Sequence, residues 1–543
     1  MSVSGDKHST TVDSSSDHEV EKVEFQQTEK VLNDADLLNE AFAGENKEHE
    51  MGAWEAAKKH PWACLWAFTM CFTIVMESFD MFLNGNFVAL GAFQRKFGVP
   101  LGDGYVIPTR WQSALFQSGQ CGAFVGVFAA GPITNRLGYR WTTILALVLM
   151  NATIFVSFFT MIIITADSLT LLVVGQALEG VPWGLLISNS PAYASEIVPL
   201  SLRGACTATL QMSWSIGSII VAAVTYGYNK RDDEWSWRVP LALQWIFPTP
   251  LMILLFLAPE SPWWLIRRGR KAEALRSIER LGDGNSETAS QSLAMMERTV
   301  QIEAQIGGSP SLLELFKGTD LRRTTITCLI YASQNFAGNL IANQSTFFFE
   351  QAGISPDKSF QLNLINSCLQ LVANALSWFL IPYFGRRTIY LWGTATNVTF
   401  LFLLGIIASI PQNNATNYAQ AILGIVISFV FAGSLGPISY TIISETSSVR
   451  LRALSTGVGR AAYYVAEIPM IYLASQMLNG TGWNMAGKCG YVWGGTAIVC
   501  WVMAYFFLPE LKDRSYREAD ILFNRKVPAR KFKGTVIDVR ENK

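Results

Sequence analysis

The chain has 543 residues, 50% of them hydrophobic and only 15% charged, with a formal net charge of zero. A soluble chain carries about 25% charged residues, and without a basic excess there is nothing to neutralise phosphates, which excludes nucleic acid as a partner. The eight cysteines, Cys71, Cys121, Cys328 and Cys500 among them, mostly stand singly in apolar runs, with neither the CxxC spacing of a zinc site nor the density of a disulfide scaffold.

Residues 1–60 are rich in Ser, Glu, Asp and Lys, a composition that predicts a disordered cytoplasmic tail. No apolar run followed by a small-residue cleavage site is visible there, so the first apolar segment is expected to act as its own membrane signal. Apolar stretches near the ~20 residues of a bilayer-spanning helix then follow at 62–86, 111–131, 142–165, 169–190, 204–227 and 240–258. A charged stretch separates them from a second set at 324–349, 361–384, 388–410, 418–443, 455–477 and 489–508. Twelve such stretches predict an all-α integral membrane protein. Its expected divisions are a six-helix bundle over 61–258, a linker with short helices over 259–323, a second six-helix bundle over 324–508 and a basic tail over 509–543.

Lys and Arg crowd the linker, the C-terminal tail and the short turns that hold Arg136/Arg140, Arg203, Arg386/Arg387 and Arg450/Arg452. With twelve spans those segments share one side, and the excess of positive charge makes that side, with both termini, cytoplasmic. Two acceptor sequons, at Asn414 and Asn479, fall in predicted outer turns, where glycosylation is expected to be possible.

The same wording recurs in both sets. "GPITNRLGYR" after the second span is echoed by "IPYFGRR" after the eighth, with Gly138 and Gly385 offset by 247. "SEIVPLSLRGA" after the fourth is echoed by "SETSSVRLRAL" after the tenth, with Glu196 and Glu445 offset by 249. "PESPWWLIRRGR" after the sixth is echoed by "PELKDRSYRE" after the twelfth, with Pro259 and Pro509 offset by 250. A near-constant offset means that one six-helix unit is duplicated. Two parallel six-helix halves with a substrate site between them is the organisation of the major facilitator fold. Glu196, Arg203, Glu445 and Arg452 are then expected to form inter-half ion pairs that close an inner gate, with Arg136, Arg140, Arg386 and Arg387 beside them. Static anchoring of helix ends is the plainer alternative.

These motifs, with "GQALEGVPWG" and "WRVPLALQWIFPTPL", resemble the sugar porter family of the major facilitators, and within it the fungal α-glucoside (maltose-type) permeases, over residues 45–525. The resemblance implies a plasma-membrane permease, a proton symporter for α-linked di- or trisaccharides that works as a monomer and needs no cofactor beyond the coupling proton. The sequence departs from that pattern in places. Asn135 and Pro382 replace the acidic residue of the "DRxGRR" turn, Ala123 replaces a glutamate of span two, and Glu179 stands where a cysteine is usual in span four. Leu340 replaces an asparagine of span seven, and Gln176 occupies the place of an arginine found in hexose symporters.

A sugar presents many hydroxyls and apolar CH faces, so its site needs amides and aromatic rings more than formal charge. The candidates are Gln211 in span five, Gln334, Asn335 and Asn339 in span seven, and Tyr440 after the Gly436-Pro437 pair of span ten. The resemblance places Gln211, Gln334, Asn335 and Tyr440 at sugar-contact positions; an isolated amide could equally be an interhelical hydrogen bond. Pro182, Pro191 and Pro437 are expected to interrupt spans four and ten.

All four histidines precede the first span, so a proton carrier inside the membrane must be a carboxylate. Glu77 and Asp80 of span one, three apart and on one helical face, and Glu179 of span four are the candidates, with Arg460 of span eleven as counter-ion. Glu467, two turns beyond Arg460, is expected to make a structural ion pair. No HExxH, GxSxG or phosphate loop supports an enzyme. A facilitative carrier of hexoses or polyols and a non-transporting sugar receptor are the alternatives that share the fold.

Overall fold

The structure is a computed structural model that describes residues 53–101, 104–163, 169–282, 286–306, 312–337, 343–448, 451–512, 514 and 516–535. The expected tail over 1–60 therefore lies almost wholly outside the described residues, as do Asn339 and Arg450. Within the helices the side chains of Arg203 and Arg452 lie outside them as well.

The first half contains Pro61–Phe87 as span one, Thr109–Leu137 as span two, Tyr139–Ile163 as span three, Thr170–Ile197 as span four and Leu200–Tyr228 as span five. Span six comes in two pieces, Trp235–Leu243 and Pro248–Leu255, joined by the 3-10 turn Gln244–Ile246. A short helix, Gly91–Phe97, and a two-stranded hairpin, Val99–Leu101 against Gly104–Val106, fill the turn after span one. Helices Pro262–Arg267, Lys271–Leu281 and Ser286–Ile306 form the linker. The second half repeats the order. Span seven is Gly318–Phe336 continued by Ser345–Gln351, and span eight is Pro356–Tyr383. Span nine is Arg386–Ser409, span ten is Asn414–Gly433 plus Leu435–Thr446, span eleven is Arg452–Leu478 and span twelve is Cys489–Phe507.

Nine of the described segments are long and apolar enough on their own to cross a membrane. The three that fall short are spans two, seven and eleven, and each has a physical reason. The described helix of span seven, Gly318–Phe336, opens on three charged residues, Asp320, Arg322 and Arg323. Spans two and eleven pack against each other across the halves and spend apolar positions on buried polar groups, Gln112, Ser118 and Gln120 in one, Arg460 and Glu467 in the other.

Small residues set the packing inside the first half. The "GQALEGVPWG" run lays Gly180 and Gly184 against span two so closely that a Cβ on Gly180 would stand 2.0 Å from the Gly119 carbonyl oxygen. On the facing helix, a Cβ on Gly122 would stand 2.0 Å from the Ala177 carbonyl oxygen. Backbones this near gain dispersion contacts that lipid cannot replace.

The prolines behave differently from the sequence expectation. Span four is one continuous helix through Pro182 and Pro191, held between span two on its glycine face and span three on the other side. Span ten does break, at Ser434 (φ −129°, ψ −77°). The pyrrolidine of Pro437 would clash with the carbonyl four residues back, at Gly433, and the helix gives way there.

The described part of the basic tail after span twelve packs on the second half. Helix Tyr516–Asn524 folds back on the start of span seven, where Arg323 pairs with Asp520 at 2.7 Å and Arg322 donates to the Val527 carbonyl at 2.8 Å. Phe523 and Phe532 are buried in that contact.

Candidate functional site

At the linker end of the bundle the three repeated motifs come together, once per half. The Glu260 carboxylate of "PESP" sits over the start of span three and accepts from the Tyr139 amide at 3.0 Å and the Arg140 amide at 3.2 Å. The Glu510 carboxylate of "PELK" does the same for span nine, accepting from the Arg386 amide at 2.8 Å and the Arg387 amide at 3.1 Å. Each carboxylate satisfies amides that a helix start leaves unpaired and meets the positive end of the helix dipole. Gly138 and Gly385 make room for them. A Cβ at either would fall 2.5 Å and 2.1 Å from the Glu260 and Glu510 oxygens. Burial pushes the Glu260 carboxyl above the usual carboxylate range, while the amides of Ser261, Arg140 and Tyr139 pull it back.

The arginines of the two turns also match. Arg140 donates to the carbonyls of Leu255 (3.1 Å) and Phe256 at the end of span six, and Arg387 donates to that of Tyr505 (2.8 Å) near the end of span twelve. Arg136 is exposed. Glu196 accepts from the Tyr139 hydroxyl at 3.0 Å and from Ser261, and pairs with Arg267 of the linker at 3.3 Å. Glu445 pairs with Arg386 at 2.8 Å. Among the described side chains these partners lie within each glutamate's own half or the adjoining linker; the side chains of Arg203 and Arg452, to which the expected inter-half pairing points, lie outside them. The turn after span two or eight delivers residue 139 or 386 directly beside the carboxylate.

The hydrogen bonds described between the halves run from mid-depth to the end opposite the linker. Asn374 of span eight donates to Ser215 of span five at 2.6 Å, and Ser218 meets Ser367 at 2.7 Å. Farther out, Asn86 accepts from Thr346 (2.7 Å) and Asn363 (3.2 Å). At the extreme end Asn479 donates to Gln112 (2.5 Å) and the Ile107 carbonyl (2.9 Å), while Thr481 meets Thr109 at 2.6 Å. The two sequons expected to be open to glycosylation therefore differ. Asn414 is exposed, but Asn479 is fully buried with its amide engaged.

Of the sugar-site candidates, Gln334 and Asn335 are buried in span seven. The Gln334 Nε2 and Asn335 Oδ1 atoms find no hydrogen-bond partner among the described residues, while the Asn335 amide donates to the Tyr463 carbonyl at 3.2 Å. The Gln211 side chain lies against Gly436, at the break of span ten, where a Cβ would meet it at 3.3 Å. Tyr440, one turn on, crosses Tyr331 edge-to-face at 6.2 Å. Gln211 of span five thus meets span ten across the halves at Gly436, and Tyr440 of span ten meets span seven at Tyr331, one turn from Gln334 and Asn335. Such a set suits a polyhydroxyl ligand, because amides both donate and accept and rings cover CH faces.

The charged candidates divide into two groups. Arg460, buried in span eleven, stands over Tyr463 (4.5 Å), Tyr464 (5.1 Å) and Tyr331 (6.0 Å), and its charge acts on Glu77 of span one and Glu467 of its own span. Glu467 also accepts from the Tyr463 hydroxyl at 3.1 Å. Asp80 and Glu179 form the other group, inside the first half, with Gln176 and Gln244 around them. The tyrosines of "GRAAYYVAEIP", Asn374 with Ser215, and Gln244 had not been singled out from the sequence. Gln244 carried a signal, a lone amide in the apolar run "LALQWIF". Among the described residues no cluster of His, Cys, Asp and Glu is arranged to hold a metal ion.

The pattern of the "Sugar (and other) transporter" family matches residues 66–523 of the chain. The general alpha-glucoside permease of Saccharomyces cerevisiae is 36% identical over 518 residues, covering 94% of this chain and 83% of the permease. The maltose permease MAL61 of the same organism is 35% identical over 517 residues, covering 93% and 83%. Among solved structures, the inward open conformation of the xylose transporter XylE from E. coli superposes with a TM-score of 0.68 at 20% identity, over 85% of this chain and 99% of XylE.

Proposed function

The chain belongs to the sugar (and other) transporter family, with the major facilitator fold, and on that premise we propose that it imports α-glucosides of the maltose type by alternating access, driven by protons. It is an integral membrane permease, not an enzyme. The observation that supports the reading is the contact of Gln211 with Gly436 across the halves, together with the hydrogen-bonding capacity that Gln334 Nε2 and Asn335 Oδ1 leave unused among the described residues. A glucoside brings donors and acceptors enough to use it, and a desolvated polar group left unpaired costs free energy that such a ligand relieves. The two named relatives are permeases for α-glucosides and for maltose, which supports the substrate class.

In this reading the linker end faces the cytoplasm with both termini, the membrane is the plasma membrane, the proton is the coupling ion, no cofactor takes part, and one chain suffices. The basic excess of the linker-side turns supports the orientation. Uptake of radiolabelled maltose by cells lacking their own α-glucoside permeases, with and without a proton uncoupler, tests it. Accumulation above the medium that collapses with uncoupler is expected. Equilibration insensitive to the uncoupler marks a facilitator, and surface expression with neither uptake nor exchange of any sugar in a panel sinks the transporter reading.

A further inference from the structure

We propose that Asp80 and Glu179 form a proton-sharing carboxyl pair that carries the coupling proton, with Gln244 and Ser157 as positioning residues that hold the two groups in place. This deepens the proton-coupled reading above and rests on it.

Both side chains are fully buried, Asp80 in span one and Glu179 in span four. One oxygen of each is held by a fixed donor: Asp80 Oδ1 accepts from the Gln244 amide, and Glu179 Oε1 accepts from the Ser157 hydroxyl at 2.6 Å. The second oxygen of each, Asp80 Oδ2 and Glu179 Oε2, has no donor among the described residues. The two carboxyls face each other at hydrogen-bonding range, with Gln176 and Trp183 of span four as their other polar neighbours and Glu77 three residues back on span one. Two acceptors cannot bond to each other. One proton between them turns one carboxyl into a donor and satisfies both, whereas two bare carboxylates in contact inside a membrane protein repel in a medium that screens them poorly.

The positioning groups are themselves fixed. Gln244 sits at the 3-10 break of span six, the irregular turn that points its amide at span one. Ser157 comes from span three, where a Cβ on Gly175 of span four would stand 2.6 Å from its hydroxyl oxygen. Spans three, four and six thus hold the pair against span one. Arg460, by contrast, acts on Glu77 across the interface of the halves and on Glu467 within its own span. The division of labour follows: Glu77 is matched by a fixed cation, and the Asp80–Glu179 pair is matched by a mobile proton.

The step makes and breaks only O–H bonds. A proton arriving from one side bonds to one carboxyl and is shared with the other; its departure to the opposite side leaves two anions that push spans one and four apart. Span one carries Glu77 one turn away, so its shift reaches Arg460 and the sugar-facing interface, which links protonation to access.

The test uses the full chain in proteoliposomes, with radiolabelled maltose as the sugar and an internal dye to follow protons. In Glu179→Gln, accumulation driven by a pH gradient is expected to fall at least about tenfold and maltose counterflow only a few-fold, since the amide cannot exchange a proton. Ser157→Ala and Gln244→Leu are expected to lower accumulation several-fold and to move the pH at which it is half-maximal, which a purely structural role would not do. Maltose-driven proton uptake at the wild-type ratio in Glu179→Gln overturns the pair. If that variant fails to reach the bilayer, Glu179→Asp, which keeps the carboxyl but withdraws it from Asp80, gives the reading instead. A wild-type ratio there, with unshifted profiles in the two positioning variants, is equally fatal. Maltose counterflow by the unaltered chain without proton movement overturns the pair together with the symport reading. No maltose counterflow at all removes only the α-glucoside reading, and the pair is then measured with whichever sugar the uptake panel identifies.

Discussion

Glu260 and Glu510 occupy equivalent places in the two halves and cap equivalent helices, yet the charge beside them is closed in two different ways. In the second half, Arg386 sits at the very start of span nine and binds Glu445 directly, with both side chains about four-fifths buried (18% and 22% exposed). In the first half the matching position is Tyr139, which can offer Glu196 a hydroxyl but no charge, and the cation comes from Arg267 of the linker, 46% exposed. Duplication therefore kept the helix caps and let the ion pair diverge. One copy closes its charge within the bundle. The other depends on a segment outside it.

The largest effect should come from breaking the enclosed copy. Glu445→Gln strands Arg386 with much of its counter-charge gone, at a cost of about 2–3 kcal/mol for a pair this buried. Maltose uptake at equal surface expression is expected to fall at least about tenfold; wild-type uptake would remove the pair from the transport cycle. The open copy is the control, because an exposed partner is screened by water. Glu196→Gln should slow uptake less than Glu445→Gln, and Arg267→Ala should slow it by less than about twofold. A reversal of that order would mean that the linker, not the bundle, governs the inner end.

The glycines sharpen the same comparison at the level of backbone. Gly138 has φ +88°, in the left-handed region, while Gly385 has an ordinary φ of −68°. An alanine crowds the capping carboxylate at either place, but only at Gly138 does it also strain the chain, by about 1–3 kcal/mol. Thermal unfolding in detergent should therefore show Gly138→Ala less stable than Gly385→Ala. At the sugar set the expected effect is smaller than that of Glu445→Gln. Gln334→Ala and Gln211→Ala each remove hydrogen bonds worth about 1 kcal/mol, a several-fold rise in the maltose concentration for half-maximal uptake. Unchanged values in both variants would move the sugar elsewhere.

Much of this arrangement was legible in the chain because it is written twice. The constant offset between the Glu–Arg clauses, the GRR turn and the PES/PEL segments exposed the two halves before any helix was placed. What the offset could not show was direction. Glu260 was visible only as part of "PESP", and nothing in its spacing says that it reaches back across the turn to the amides of Tyr139 and Arg140. In the same way, the spacing of Glu196 and Glu445 does not reveal that Tyr139 and Arg386 stand beside them within their own halves. Hydropathy marked spans two, seven and eleven as long apolar runs, yet each falls short when its helix is weighed alone, because residues such as Gln112 and Arg460 trade apolarity for contacts across the halves. Prolines were an unreliable guide, since Pro437 breaks its span and Pro182 and Pro191 do not. Gln244 shows in the sequence as a lone amide in an apolar run, but nothing in that run says which way the amide points, since the 3-10 turn that aims it at span one has no periodicity.

Asn479 and Thr481 are two of the three residues of a glycosylation sequon, and both are engaged in joining the far ends of the halves. A sugar tree attached to Asn479 would stand where Gln112 and the Ile107 carbonyl now bind it. In the proposed orientation, attachment of a glycan at Asn479 and closure of this outer seam therefore exclude one another, and only a chain whose Asn479 is bare can join its halves there.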